Sequence, residues 1–313
     1  MGDKISKSNI ASFIFVSLTY AIGLITIYLT DLTLASATTL QAKLFEIFIL
    51  GVSEKSIIEF IFSYFKPLFY LSLALLFFCF GLSFLAVKNP GRMKYFLILP
   101  ILPLGILFNF SILFLLFSFG LYVASLYSIT FGETYKEEIK KWKSFRIGSK
   151  AVSEALFFAF LFIFLGSFLT FSIDETYKQT FMNTTISGLK NIIRSEIENF
   201  EINSAKLKEE IIKSQMEKIR EQYPNLTEQQ YAEIEKDLEN SVGNLTTFSF
   251  KPTESLIESS LKNSLIINSL SYWFPLFMSF TIWILLEFLR NFLLSPISGL
   301  FSVFYFKILN FRT

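Results

Sequence analysis

Long stretches without a charge alternate with short blocks in which charges gather, and this alternation divides the chain into elements. Residues 11–30 form the first apolar run, about twenty residues, enough to cross roughly 30 Å of hydrocarbon as a helix. Lys4 and Lys7 precede it, and Ala35-Ser36-Ala37 resembles a small-residue cleavage site. A signal-peptide core is only about 7–15 residues, so the longer run reads as a retained span. Over 38–66, Leu40, Leu44, Ile47 and Phe48 recur at helical spacing away from Lys43 and Glu46. After Gly51-Val52-Ser53 the pattern returns in Ile57, Ile58, Ile61, Phe62 and Phe65, which predicts amphipathic helices at the interface or over the bundle.

Residues 68–87 read as the second span, closed by a turn from Lys88 to Lys94 that contains Pro90 and Gly91. The run from Tyr95 to Ile129, about 35 residues, is too long for one helix of ordinary tilt. Pro100, Pro103 and Gly105 interrupt its first half and Asn109-Phe110-Ser111 its middle, so two short spans are expected near 95–109 and 110–129. The first of these is short enough to be re-entrant. A charged stretch at 133–150 then leads to a span at 155–173.

From 174 to 268 the pattern is polar but still periodic. Ile186, Leu189, Ile193, Ile197 and Phe200 make one stripe, and Leu207, Ile211, Met216, Ile219 and Tyr223 a second with one slip. Pro224 stops that helix, and Thr227-Glu228-Gln229-Gln230 reads as a capping box opening a helix striped by Tyr231, Ile234 and Leu238. Val242-Gly243-Asn244 is expected to close it, with a last helix after Lys251-Pro252-Thr253. Residues 269–289 are the final span, with Tyr272 and Trp273 placed as an interfacial belt. In the tail, 291–311, a polar stripe at Asn291, Ser295, Ser298, Ser302 and Tyr305 argues for an interfacial helix rather than a seventh span, because only Arg290 and Asn291 separate it from the previous run.

The expected fold is therefore all-α: a polytopic helical membrane protein of about six spans with one polar, mainly helical insertion between the last two. Its parts are a membrane region at 1–173, the insertion at 174–268, and a span with an amphipathic tail at 269–313.

Composition strengthens the membrane reading, since 52% of residues are hydrophobic and forty are Phe, whereas soluble domains keep more charge. The net charge of +2 conceals an asymmetry: Asp174 to Lys262 holds sixteen acidic against eleven basic residues, leaving ten against seventeen elsewhere. The basic excess flanks the apolar runs and reads as topology, not nucleic-acid binding. With 95–129 counted as two spans, and Lys4, Lys7, Lys88, Arg92, Lys94, the cluster Lys136, Lys140, Lys141, Lys143, Arg146 and Lys150, and Arg290 kept inside, the N-terminus is cytoplasmic and 174–268 lies outside the cell membrane.

The absence of His removes Ser-His-Asp and Cys-His catalysis and His-ligated zinc, and a single Cys, Cys79, removes thiolate clusters. Asp3, Asp31, Asp174 and Asp237 all lie outside the apolar runs, which removes an intramembrane aspartyl pair. The expectation is a non-enzyme without cofactor or metal. Its partners are the lipid bilayer and, through a coiled-coil-like insertion, another protein or a second copy of the chain.

Four groups of residues could carry function. An interaction face would use Ile186, Leu189, Ile193, Ile197, Tyr231, Ile234 and Leu238, on stripes too narrow for a self-sufficient core. A polar seam would use Ser111, Ser118, Ser125 and Tyr122 with Asn291, Ser295, Ser298 and Ser302; close helix packing is its commoner meaning, a pathway for solute the alternative. Glu287 and Arg290 would form an ion pair near the end of a span. Asn183, Asn225 and Asn244 begin glycosylation sequons. Polar residues concentrate in the insertion, so a subunit presenting a helical domain is expected ahead of a channel or transporter.

Overall fold

A computed structural model describes residues 7–30, 33–39, 41–42, 54–139, 141–225, 227–246 and 254–309. The expected features at Lys4, Lys140, 43–53 and 251–253 lie outside these, as do the side chains at 54–64. Among the described residues every regular element is helical. The chain divides into two units, one made of 1–182 with 269–313, the other of 183–268.

In the first unit α1 (Lys7–Leu29) packs on α2 (Glu54–Val87). Tyr20 meets Phe78 and Phe15 meets Phe84, with ring centroids 6.0 and 4.8 Å apart. α2 is longer than its expected span, because Pro67 is accommodated within the helix instead of starting it. α3 (Ile112–Glu138) and α4 (Lys143–Ile173) form the most extensive helix pair, joined at Trp142, which adopts φ 54°. Tyr127 stacks on Phe158 at 4.1 Å between centroids, and such ring pairs add roughly 0.5–1.5 kcal/mol beyond burial alone.

The segment expected as a span near 95–109 is not an α-helix. It runs as 3-10 turns, Gly91–Phe96 and Leu102–Phe108, because Pro100 and Pro103 remove two of the donors an α-helix requires. Its course nevertheless follows α1. Gly91, at φ 62°, sits so close to Asn9 that a Cβ would fall 2.9 Å from Asn9 Nδ2, and the Phe108 ring meets Tyr28 at 6.0 Å. From Asn9 to Tyr28 the helix rises roughly 28 Å, so this irregular segment covers the depth of a span. Asn109 and Phe110 then reverse the chain in left-handed conformation, and Ser111 caps α3 by accepting from Phe114 N at 3.2 Å.

One end of this unit gathers the basic residues. Lys88 Nζ donates to Ser8 Oγ at 2.8 Å, Asn89 Nδ2 to Glu133 Oε1 at 2.8 Å and Lys136 Nζ to the Val87 carbonyl at 2.6 Å. Lys150 lies over Tyr135, 5.6 Å from its centroid. The start of α1, the end of α2, the end of α3 and the start of α4 thus lie together.

α8 (Leu265–Leu289) continues through a single π-helical turn, Arg290–Leu294, into α9 (Ser295–Ile308). α9 packs against α4 and α2. The Ser83 hydroxyl donates to Ser298 O at 3.1 Å, the Ser149 and Ser295 hydroxyls meet at 2.9 Å, and Tyr305 donates to Phe80 O at 3.2 Å. These partners all belong to the basic-end portions of α2 and α4. The tail stripe packs against helices instead of facing headgroups: Ser298, Ser302 and Tyr305 are buried, and of the stripe only Asn291 is exposed. Small side chains let α9 approach closely enough for these bonds, which outweighs any gain from exposing isolated hydroxyls.

At the other end Phe171, Phe274 and Met278 pack with Ala42 and with Phe181 of α5 (Glu175–Gln222). Asp174 caps α5, accepting from Thr176 N at 3.0 Å, and hydrogen bonds from the Thr176 hydroxyl and then its backbone N–H hold the carboxyl below the usual range. The chain leaves the first unit after Met182 and returns at Ser269, the end remote from the basic residues.

The second unit holds the rest of α5, α6 (Glu228–Thr246) and α7 (Glu254–Lys262). Both stripes lie on the one helix α5, which runs unbroken between Phe200 and Leu207. α6 also continues through Val242-Gly243-Asn244, where closure is expected from sequence; one glycine costs only about 1 kcal/mol in a helix.

Candidate functional site

Near the π turn, Glu287 Oε2 and Arg290 Nη2 are 2.6 Å apart, both largely buried. Arg290 Nη1 donates to the Ser153 carbonyl at 3.3 Å, and the guanidinium lies 5.4 Å over the Phe157 ring. Glu287 Oε1, Arg290 Nε and Trp283 Nε1 find no hydrogen-bond partner among the described residues. The i,i+3 spacing and the level of Ser153, beside the last charge of α4 at Glu154, fit an ion pair at the boundary of a span.

The sequence seam on α3 divides on inspection. Ser111 is a helix cap, Ser118 is buried with no partner among the described residues, and Ser125 donates to Leu121 O at 2.7 Å while meeting the Tyr20 hydroxyl at 2.8 Å. Tyr122 is half-buried. Ser128, which the seam omitted, donates to Leu82 O at 2.8 Å. The α3 serines thus tie α3 to α1 and α2, whereas those of α9 tie it to α2 and α4. α2 contacts both sets, through the adjacent residues Leu82 and Ser83.

In the second unit the sequence-derived face also divides. Tyr231, Ile234 and Leu238 of α6 close on Ile212, Met216 and Ile219 of α5. Tyr231 donates its hydroxyl to Tyr223 O at 2.5 Å and receives Arg220 over its ring at 5.2 Å. One half of the expected capping box is formed: Gln230 Oε1 accepts from Thr227 N at 3.0 Å, and from the Thr227 hydroxyl at 3.1 Å. These three α6 residues therefore build the hairpin and are taken up by it.

Of the α5 group, Ile186 is buried and Leu189, Ile193 and Ile197 are half-buried. The exposed continuation is Phe200 at 70%, Leu207 at 59% and Ile211 at 37%. From Ile193 through Ile197, Phe200, Leu207 and Ile211 the steps are four, three, seven and four, the a/d rhythm of a coiled-coil seam. The slip in the second sequence stripe is a change of face: Leu207 and Ile211 point away, Met216 and Ile219 into the hairpin. Heptad counting across Ser204 was the signal that would have joined Phe200 to Leu207.

Lys190 Nζ pairs with Glu258 Oε2 at 2.7 Å, and Lys262 with Glu258 Oε1 at 2.8 Å, fixing α7 to α5. These two ammonium groups hold the Glu258 carboxyl down at about 2. Among the sequons, Asn183 and Asn225 are exposed; Asn225 lies in the turn between α5 and α6, whereas Asn183 and Asn244 are within helices.

Fold and site together define an all-α, polytopic integral membrane protein. No protein-family model, curated protein or solved structure matches the chain.

Proposed function

We propose that the chain is a non-enzymatic membrane subunit that presents its helical hairpin, on the extracytoplasmic side, to a protein partner or a second copy of itself. One observation carries this reading: Phe200, Leu207 and Ile211 stand exposed at heptad spacing on a helix whose neighbouring face is already occupied by α6. Apolar side chains left on a solvated helix face are the usual mark of a contact, and helix-to-helix docking reads them at this spacing. The orientation follows from charge. With the basic end cytoplasmic, the chain leaves the bundle toward the 183–268 unit at the outer face.

A solute pathway is the second reading of the serine seams. Their bonding to different helices, with α2 in touch with both, favours a packing role.

The test compares the intact protein, purified in mild detergent, with a Phe200→Ser, Leu207→Ser variant by native mass spectrometry. The wild type is expected to carry a stoichiometric partner or second copy that the variant lacks. A wild type that is alone, or a variant that keeps its partner, overturns the reading.

A further inference from the structure

In the half of the first unit remote from the basic residues, the helices leave a cavity of about 350 Å³. Leu24 of α1, Leu71 and Leu75 of α2, Phe117 of α3, and Ile282 and Leu286 of α8 supply its apolar wall. The volume falls within the roughly 300–1,000 Å³ of small-ligand sites.

The few hydroxyls that reach the cavity are already bonded within their own segments. Ser167 donates to Phe164 O at 3.0 Å, Thr281 to Phe277 O at 2.9 Å and Ser36 to Thr33 O at 2.8 Å; Ser111 accepts from Phe114 N. Water needs about two to four polar partners to stay in such a space, and these groups offer it little. Left empty, the wall would forfeit dispersion contacts. Within a bilayer the medium available to fill it is hydrocarbon.

Polar and apolar groups are also unevenly placed. Thr33, Ser36 and Gln41 come from the short segment that follows α1, while Leu75, Phe117 and Leu286 lie deeper in the bundle. Thr33 and Ser111 are exposed, so the cavity reaches the surface at that end. No Lys or Arg is among the described residues that line it. A free fatty acid would bring an uncompensated carboxylate there, whereas an esterified chain brings none.

The geometry points to a binding site for one acyl chain of a bilayer phospholipid, its tail among Leu75, Phe117 and Leu286 and its ester end at Thr33, Ser36 and Gln41. This site is independent of the hairpin, and its test does not involve the 183–268 unit.

The full chain is reconstituted in phosphatidylcholine vesicles doped with a phospholipid bearing a diazirine in one acyl chain, and crosslinked residues are mapped. Labels are expected on Leu71, Leu75, Ile282 and Leu286 as well as on the outward Leu73 and Ile284, which ordinary surrounding lipid reaches. Leu286→Trp or Leu71→Trp, on different helices, fills the cavity. Either is expected to lower inner-wall labelling at least about tenfold, the effect of roughly 1.4 kcal/mol of lost affinity, with the outward labels unchanged. Labels confined to Leu73 and Ile284 overturn the proposal. So does inner-wall labelling that both Trp variants leave intact, or labelling by a diazirine fatty acid where the phospholipid gives none.

Discussion

The side chain of Ser302 occupies the space that a side chain on Gly148 would need. A Cβ there would collide with Ser302 Cβ and approach the Ser298 carbonyl to 2.6 Å. α4 and α9 therefore touch backbone to side chain, close enough for the Ser149 and Ser295 hydroxyls to meet. Gly148→Ala is expected to lower stability by about 1–3 kcal/mol, the range for overpacking a fitted contact. Adding Ser302→Gly should recover part of that loss. Thermal unfolding in detergent of both single variants and the double variant gives the coupling directly; additive losses would mean that the two sites do not touch.

How much of this was legible in the sequence depends on whether one residue pattern or two distant ones set the outcome. The apolar runs fixed the spanning helices because each long run must satisfy its own backbone within hydrocarbon. The 95–109 segment was legible as an interruption through Pro100 and Pro103, but not as 3-10 turns running beside α1, since that course depends on Asn9 and Tyr28. The tail stripe was legible as a packing seam, but the helices it packs on were not. Whether Ser298 faces headgroups or Gly148, 150 positions away, is not a local property. The same holds for Tyr231, Ile234 and Leu238: periodicity shows that they share a face, and only Ile212 and Met216 show that the face is taken.

Opposite placement of the two ends can be read chemically. In a Cys79→Ser background, Lys141→Cys in the α3–α4 connection and Ser214→Cys on α5 are both exposed positions. With intact cells, a membrane-impermeant thiol reagent is expected to modify the Ser214→Cys protein and spare the Lys141→Cys protein until the cells are opened. Modification of both, or of neither, in intact cells would defeat the orientation assigned from charge.

The α7 contact has a defined pH dependence. Lys190 and Lys262 depress the Glu258 carboxyl from an ordinary value of 4.5 to about 2. A group whose folded-state pKa is depressed stabilises the folded form above its unfolded pKa, and loses that contribution as pH falls through the folded one. Attachment of α7 is therefore expected to be constant above about pH 5 and to weaken from about 4.5 down to 2. Lys190 and Glu258 are only half-buried and Lys262 is exposed, so the effect is small and screened by salt. Amide hydrogen exchange in α7, corrected for intrinsic rates, checks it: protection should fall over that interval in the parent but not in Glu258→Gln. A parent and variant that respond alike would assign the change to another group.

Two apolar residues on α5, nine positions apart, separate the hairpin from what it is proposed to bind. Met216 is 7% exposed and packs with Ile212 and Tyr231, whereas Leu207 is 59% exposed and points away from that cluster. Truncating a buried Leu, Ile or Met side chain costs about 2–5 kcal/mol when the site is enclosed, and a seam between only two helices sits toward the lower figure. Met216→Ala should therefore loosen the hairpin by about 2 kcal/mol. It is expected to raise amide exchange along both strands of the seam, from Ile212 to Ile219 and from Tyr231 to Leu238. Leu207→Ala removes little buried area, keeps or improves helix propensity, and should leave that exchange within about 0.5 kcal/mol of the parent. The two variants then part ways in the complex. Leu207→Ala should weaken association while the hairpin stays folded, and Met216→Ala should weaken it only as far as the hairpin opens. If Leu207→Ala raised exchange across the seam as much as Met216→Ala, Leu207 would be part of the hairpin's own core, and the exposed stripe would lose its meaning as a contact.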